Sequence, residues 1–134
     1  MIVIKQNQPN KSGSKLEKKC RSLLEKYNIP YIQAKHKGID FIIWPDNPNH
    51  IMYLDCKSIN GSGTAIERTP HTVYKYHLLY GAKKIYILEG KVNNPDIIRE
   101  HCNSICKTEF IKLKDLEIII TKKQVINPHE RFWN

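Results

Sequence analysis

The stretch GIDFIIWPDNPNHIMYLDCKS, residues 38–58, holds two apolar runs around a turn, and each run carries an aspartate, Asp40 and Asp55. Residues 39–44 and 51–57 have the composition of strands, and Pro45, Asp46, Asn47, Pro48 and Asn49 between them are turn formers. A β-hairpin is therefore expected. Side chains alternate faces along a strand, so Asp55 and Lys57 project together, about 7 Å apart, while Leu54 and Cys56 project the other way. Asp40 and Asp55 sit at similar distances from the turn centre, which makes them cross-strand neighbours. Facing carboxylates repel, so the pair calls for a cation. Lys57 supplies one point charge. Carboxylate oxygens without nearby His or Cys suit a hard ion, Mg²⁺ or Mn²⁺, which retains waters and accepts phosphate oxygens.

Outward from the hairpin the pattern is mixed. Leu16, Cys20, Leu23, Leu24 and Tyr27 recur at helical spacing and predict a helix over 14–27, ended by Asn28 and Pro30. Residues 31–34 are a short strand candidate, followed by a basic loop of Lys35, His36, Lys37 and Gly38. After the hairpin, Thr69 and Pro70 are read as the cap and first residue of a second helix that Gly81 closes. Residues 82–88 read as a buried strand turning at Glu89, Gly90 and Lys91, and Asn94 and Pro95 start a third helix reaching about Cys106. Strand-like runs follow around Leu113 and over 118–120. The expectation is one α/β domain over 1–134, a central mixed β-sheet flanked by helices, with its core over about 12–121 and a C-terminal tail over 122–134. The strands on either side of the second helix are expected to run parallel.

Twenty-two basic residues against 13 acidic ones give a formal charge of +9, which favours a polyanionic partner, nucleic acid before membrane. Eighteen of the bases are lysines, suited to phosphate contact more than to base reading. No apolar run approaches the roughly 20 residues that span a bilayer, and the N-terminus lacks a signal-peptide pattern, so an intracellular location without membrane partners is expected. Cys20 and Cys56 fall at apolar positions, as small hydrophobes. His101, Cys102 and Cys106 have helical spacing compatible with zinc, but only His129 offers a further ligand, so packing cysteines are the simpler reading.

An acid-x-Lys triplet is not specific by itself: composition gives about two by chance, and three occur, Glu17/Lys19, Asp55/Lys57 and Glu89/Lys91. Only Asp55/Lys57 lies on a strand with a second acid on the paired strand. GSKLEKKCRSLLEKY, GIDFIIW, MYLDCKS and TPHTVYKYHLLYGAKKIYIL, spanning roughly 12–88, together resemble the PD-(D/E)xK nuclease superfamily, most closely the small Holliday-junction resolvases of archaeal and phage type. Ile39 stands where that pattern has proline, and Asp55 where glutamate is commoner.

The resemblance implies a restriction-endonuclease-like fold and a Mg²⁺-dependent endodeoxyribonuclease, with Mn²⁺ substituting, no small-molecule cofactor, DNA as partner and a homodimer. Asp40, Asp55 and the Cys56 backbone carbonyl would hold the metal. Lys57 would orient the attacking water, and Glu17 would hold a second ion or a metal-bound water. Ser14 and Glu17 also form a capping-box pattern, a purely structural alternative. Lys35, His36, Lys37, Ser58, Lys83 and Lys84 are the candidate nucleic-acid contacts, and His71, Tyr74 and Tyr76 are placed to approach the cleft. Two readings stand beside a junction resolvase: a phage, mobile-element or restriction-type nuclease cutting duplex or single-stranded DNA, and a non-catalytic nucleic-acid-binding module.

Overall fold

A computed structural model describes the backbone of residues 11–33, 39–57, 68–90 and 94–133, and the side chains of that set as far as residue 124 except 11–14. The elements run α1 (Lys11–Lys26), β1 (Tyr31–Gln33), β2 (Phe41–Ile43), β3 (Met52–Lys57), α2 (Thr69–Tyr80), β4 (Lys84–Glu89), α3 (Asp96–Ile105), β5 (Lys107–Ile111) and α4 (Leu113–Trp133). The five strands form one mixed sheet in chain order. β1, β2 and β3 pair antiparallel, while β3, β4 and β5 pair parallel across the helical connections α2 and α3.

Alternation along the strands divides the core into two layers. Leu54, Cys56, Tyr86 and Leu88 face Leu16, Cys20 and Leu24 of α1 and Leu116 and Ile120 of α4. On the opposite face Ile85 and Ile87 meet Val73 and Tyr76 of α2 and Cys102 of α3. The chain is thus α/β, a sheet covered by two helices on each side. Among the described residues no helix is long and apolar enough to cross a membrane.

Several boundaries depart from expectation for identifiable reasons. β2 stops at Ile43 because Trp44 takes a left-handed backbone, φ 52°, and turns the chain, its amide donating to the Pro30 carbonyl. α1 already includes Lys11, so Ser14 lies inside the helix and not at its N-cap, the position that the alternative capping-box reading required. Thr69 is itself helical, and its hydroxyl instead reaches Asn94 Oδ1 at 3.3 Å. The largest correction is C-terminal. Residues 118–120, read as strand, and residues 122–133 of the expected tail belong to α4, which continues to Trp133. Leu113, Leu116 and Ile120 recur at helical spacing against the α1 layer, and that burial outweighs the β preference of consecutive isoleucines.

Candidate active site

β3 carries the centre. Asp55 is almost wholly buried, and Lys57, two residues on and on the same face, holds its Nζ 3.3 Å from Asp55 Oδ2. Asp40 enters from the start of β2. Its amide donates to the Leu54 carbonyl at 3.2 Å although Phe41 is the ladder partner of Leu54, so two consecutive residues meet one. That doubling is the mark of a β-bulge, which breaks the alternation and re-aims a side chain. Ile39 and Phe41 accordingly join opposite core layers, and the Asp40 carboxylate turns along β3 to accept the Cys56 amide at 2.7 Å.

The electrostatics follow from this crowding. Asp40 has its pKa pushed up to about 9, first by burial and then by the negative charge of Asp55. Asp40 therefore keeps a proton at neutral pH unless a cation joins the pair. Glu17, half-buried on α1 between Leu16 and Cys20, has its carboxyl raised above the usual value, first by burial, with the negative charge of Asp55 adding to it and Asp40 opposing it. Gln33 on the edge strand reaches Glu17 Oε1 at 3.5 Å and is held by the Arg21 guanidinium at 2.7 Å. Cys56 packs its thiol against Cys20, a contact that, with burial, pushes it far above the ordinary thiol range. Both cysteines are core residues, as their positions in the sequence suggested.

Glu17, Asp40 and Asp55 run as a row from α1 to β3. Among the described residues no group of three or more His, Cys, Asp or Glu side chains is arranged to hold a metal ion on its own. Mg²⁺ does not require such a cage: one or two carboxylates, waters and substrate phosphate oxygens complete its shell. The donor chemistry fits that ion. Two carboxylates meet one ammonium, and Asp55 Oδ2 is buried with no hydrogen-bond partner among the described residues, close to Lys57 yet not aligned with it.

The structure brings Glu17, Asp40, Asp55 and Lys57 together and separates others from them. Lys83 and Lys84 lie at the opposite end of β4: Asp55 pairs with Ile87, about 10 Å along the strand from Lys84. Lys84 is also committed to Glu109 at 2.8 Å and lies over the Tyr86 ring, so it does not flank this site. His71 and Tyr74 face solvent, whereas Tyr76 is fully buried on the inner face of α2. Lys35, His36, Lys37 and Ser58 lie outside the described residues, as do the side chains of His129, Phe132 and Trp133. Cys102 is core and Cys106 donates to the Ala82 carbonyl, while His101 is exposed.

A feature missed from the sequence lies beside Lys57. Glu89, expected in a turn, is the last residue of β4 and is buried. Its Oε1 accepts the Asn94 amide and side chain at 2.6 and 2.9 Å, and its Oε2 accepts Arg99 at 2.9 Å. Glu89 pairs with Lys57 in the parallel ladder, and the Gly90 amide donates to the Lys57 carbonyl. This satisfied carboxylate ties β4, α3 and, through Asn94, the start of α2 to the end of β3 that carries the lysine. A buried strand end with Arg ten residues downstream was the available signal. No family model, curated protein or solved structure matches the chain.

Proposed function

We propose that the chain is a divalent-metal-dependent endonuclease of restriction-endonuclease-like fold that hydrolyses phosphodiester bonds in DNA. The observation that carries this reading is the meeting of Asp40 and Asp55 at one end of the β2–β3 pair with Lys57 beside Asp55. Asp40, Asp55 and the Cys56 carbonyl would hold Mg²⁺ or Mn²⁺, which supplies a Lewis acid for the phosphate and a more acidic water. Lys57 keeps a compact charge half-buried at the centre, suited to orienting a nucleophilic water and to neutralising charge that builds on phosphorus. Glu17 extends the acidic row toward α1, where it suits a second ion or a metal-bound water.

The charge of +9 favours a polyanionic substrate, and the segments that hold Lys35, His36, Lys37 and Ser58 adjoin Asp40 and Lys57 in the chain. Symmetric cutting of a branched junction would need two such centres, hence a homodimer. The test is a panel of junction, flap, duplex, single-stranded DNA and RNA substrates with and without Mg²⁺. Cleavage of DNA that requires Mg²⁺ and falls at least about 100-fold in Asp40→Asn, Asp55→Asn and Lys57→Ala, with circular dichroism unchanged, is expected. DNA binding without cleavage, indifferent to Mg²⁺ and to Asp55→Asn, identifies a non-catalytic binding module instead. Equal cutting of all DNA forms removes junction selectivity while leaving the nuclease.

A further inference from the structure

The carboxyl edge of the parallel strands carries more charge than the candidate centre uses. β3 ends there in Lys57, β4 in Glu89, and Lys112 follows the last residue of β5. In open α/β sheets this edge is where ligands bind. Lys57 and Glu89 are ladder partners and project from the same face, with Glu89 on the side of β3 away from β2 and Asp40. Three groups fix Arg99 over the edge. Its Nη2 donates to Glu89 Oε2 and its Nε to the Asn94 carbonyl, both at 2.9 Å, and its guanidinium lies 4.6 Å over the Phe110 ring. Nη1 donates to none of the described residues, and 29% of the side chain is open to solvent. Lys112 Nζ stands 4.0 Å from the same Glu89 Oε2 and 3.5 Å from the Gly90 carbonyl, on a side chain 38% exposed. One buried carboxylate thus meets two cations, and the cluster keeps a net positive charge.

We infer that Arg99 and Lys112 form a second phosphate subsite, which holds a phosphodiester of the cut strand next along from the one at Asp55 and Lys57. The inference rests on the nuclease reading given above. Neighbouring strands lie about 4.8 Å apart, so Lys112 beyond β5 stands about 10 Å from Lys57 on β3, with Arg99 reaching over β4 between them. A DNA strand laid across the edge from β2 toward β5 meets the acidic row first and the two cations next. Arg99 suits the task because its fork is planar and its position is already fixed by folding, so little freedom is lost when a phosphate arrives. Glu89 touches no DNA in this arrangement; it is a positioning residue that aims the guanidinium.

The experiment uses the full chain and the DNA form that the wild type cuts fastest. Affinity is read by fluorescence anisotropy in EDTA over a series of KCl concentrations, and kcat and KM are read with Mg²⁺. The variants are Lys112→Gln and the pair Glu89→Gln with Arg99→Gln, which leaves no buried charge unpaired. Each is expected to lower the slope of log affinity against log salt by about 0.9, the signature of one lost phosphate contact on duplex DNA. Each should raise KM about fivefold at a kcat within about twofold of wild type, because the phosphate they hold does not react. Wild-type slope and KM in Lys112→Gln and in the double variant make the cluster a structural tie alone and overturn the inference. So does a fall in kcat at unchanged KM, which would assign the cluster to Lys57 instead. Lys112→Gln alone with the wild-type slope overturns the part of Lys112 whether or not the double variant folds. A wild type that cuts no DNA form defeats the nuclease reading, and the subsite with it.

Discussion

Replacing Asp40 with asparagine should make the metal-free protein more stable, the opposite of what removing a buried, hydrogen-bonded side chain usually does. Asp40 binds its proton with a pKa near 9 in the native state, against an ordinary value of 3.8. Between about pH 4 and pH 9 the folded chain therefore keeps a proton that the unfolded chain has released, and stability falls as pH rises. The full slope is about 1.4 kcal/mol per pH unit, so roughly three units separate pH 4 from pH 7 by at most about 4 kcal/mol. Glu17, raised in the same direction, adds to the decline. An asparagine side chain here has the same shape, can still accept the Cys56 amide, and is neutral beside Asp55 without taking up a proton. Asp40→Asn is thus expected to gain about 2–4 kcal/mol at pH 7 without divalent ions, on the order of 10 °C in Tm for a domain of this size. Urea unfolding followed by circular dichroism from pH 5 to pH 9 in EDTA measures both the gain and the flattened pH profile. Mg²⁺ at ten times its Kd should then stabilise the wild type by about 1.4 kcal/mol and the variant hardly at all. A wild-type profile flat from pH 5 to pH 8, or a variant less stable than wild type at pH 7, would refute the account of a proton retained on Asp40.

Other expectations concern the frame. Glu89→Gln leaves Arg99 without its buried counter-charge and should cost about 3 kcal/mol in urea unfolding, a loss that Arg99→Ala alone should approach and the double variant should not double. All four cysteines are buried, and burial pushes Cys102 up to about 11, so a thiol reagent should label none rapidly in the native protein and all four in urea. Gly81 caps α2 at φ 58° with open space where a Cβ would stand, so Gly81→Ala should destabilise by about 1 kcal/mol through backbone strain alone, read as a shifted urea midpoint at unchanged slope.

What a sequence can disclose about such a site depends on the range of the interaction. Asp55 and Lys57 share a face because strand side chains alternate, a rule that needs only neighbours, and Asp40 joins them because a short hairpin constrains its own register. The bulge at Asp40 and Phe41 is finer than that rule, yet it leaves the two acids adjacent. α4 was hidden by the β-branched run at residues 118–121, although Asp115, accepting the Lys112 amide at 2.9 Å, was a local helix-start signal. Lys84 shows where local rules end. Placing it beside Asp55 requires the register of β4 against β3, and that is decided by which apolar side chains of two helical layers fit together. Leu54 pairs with Tyr86, so Ile87 and not Lys84 stands level with Asp55. His71, Tyr74 and Tyr76 were read together as placed to approach the cleft, but the packed core separates them, burying Tyr76 and leaving the other two facing solvent. Within one hairpin a side chain can be placed by counting; across a parallel crossover its height along the sheet is a property of the packed core.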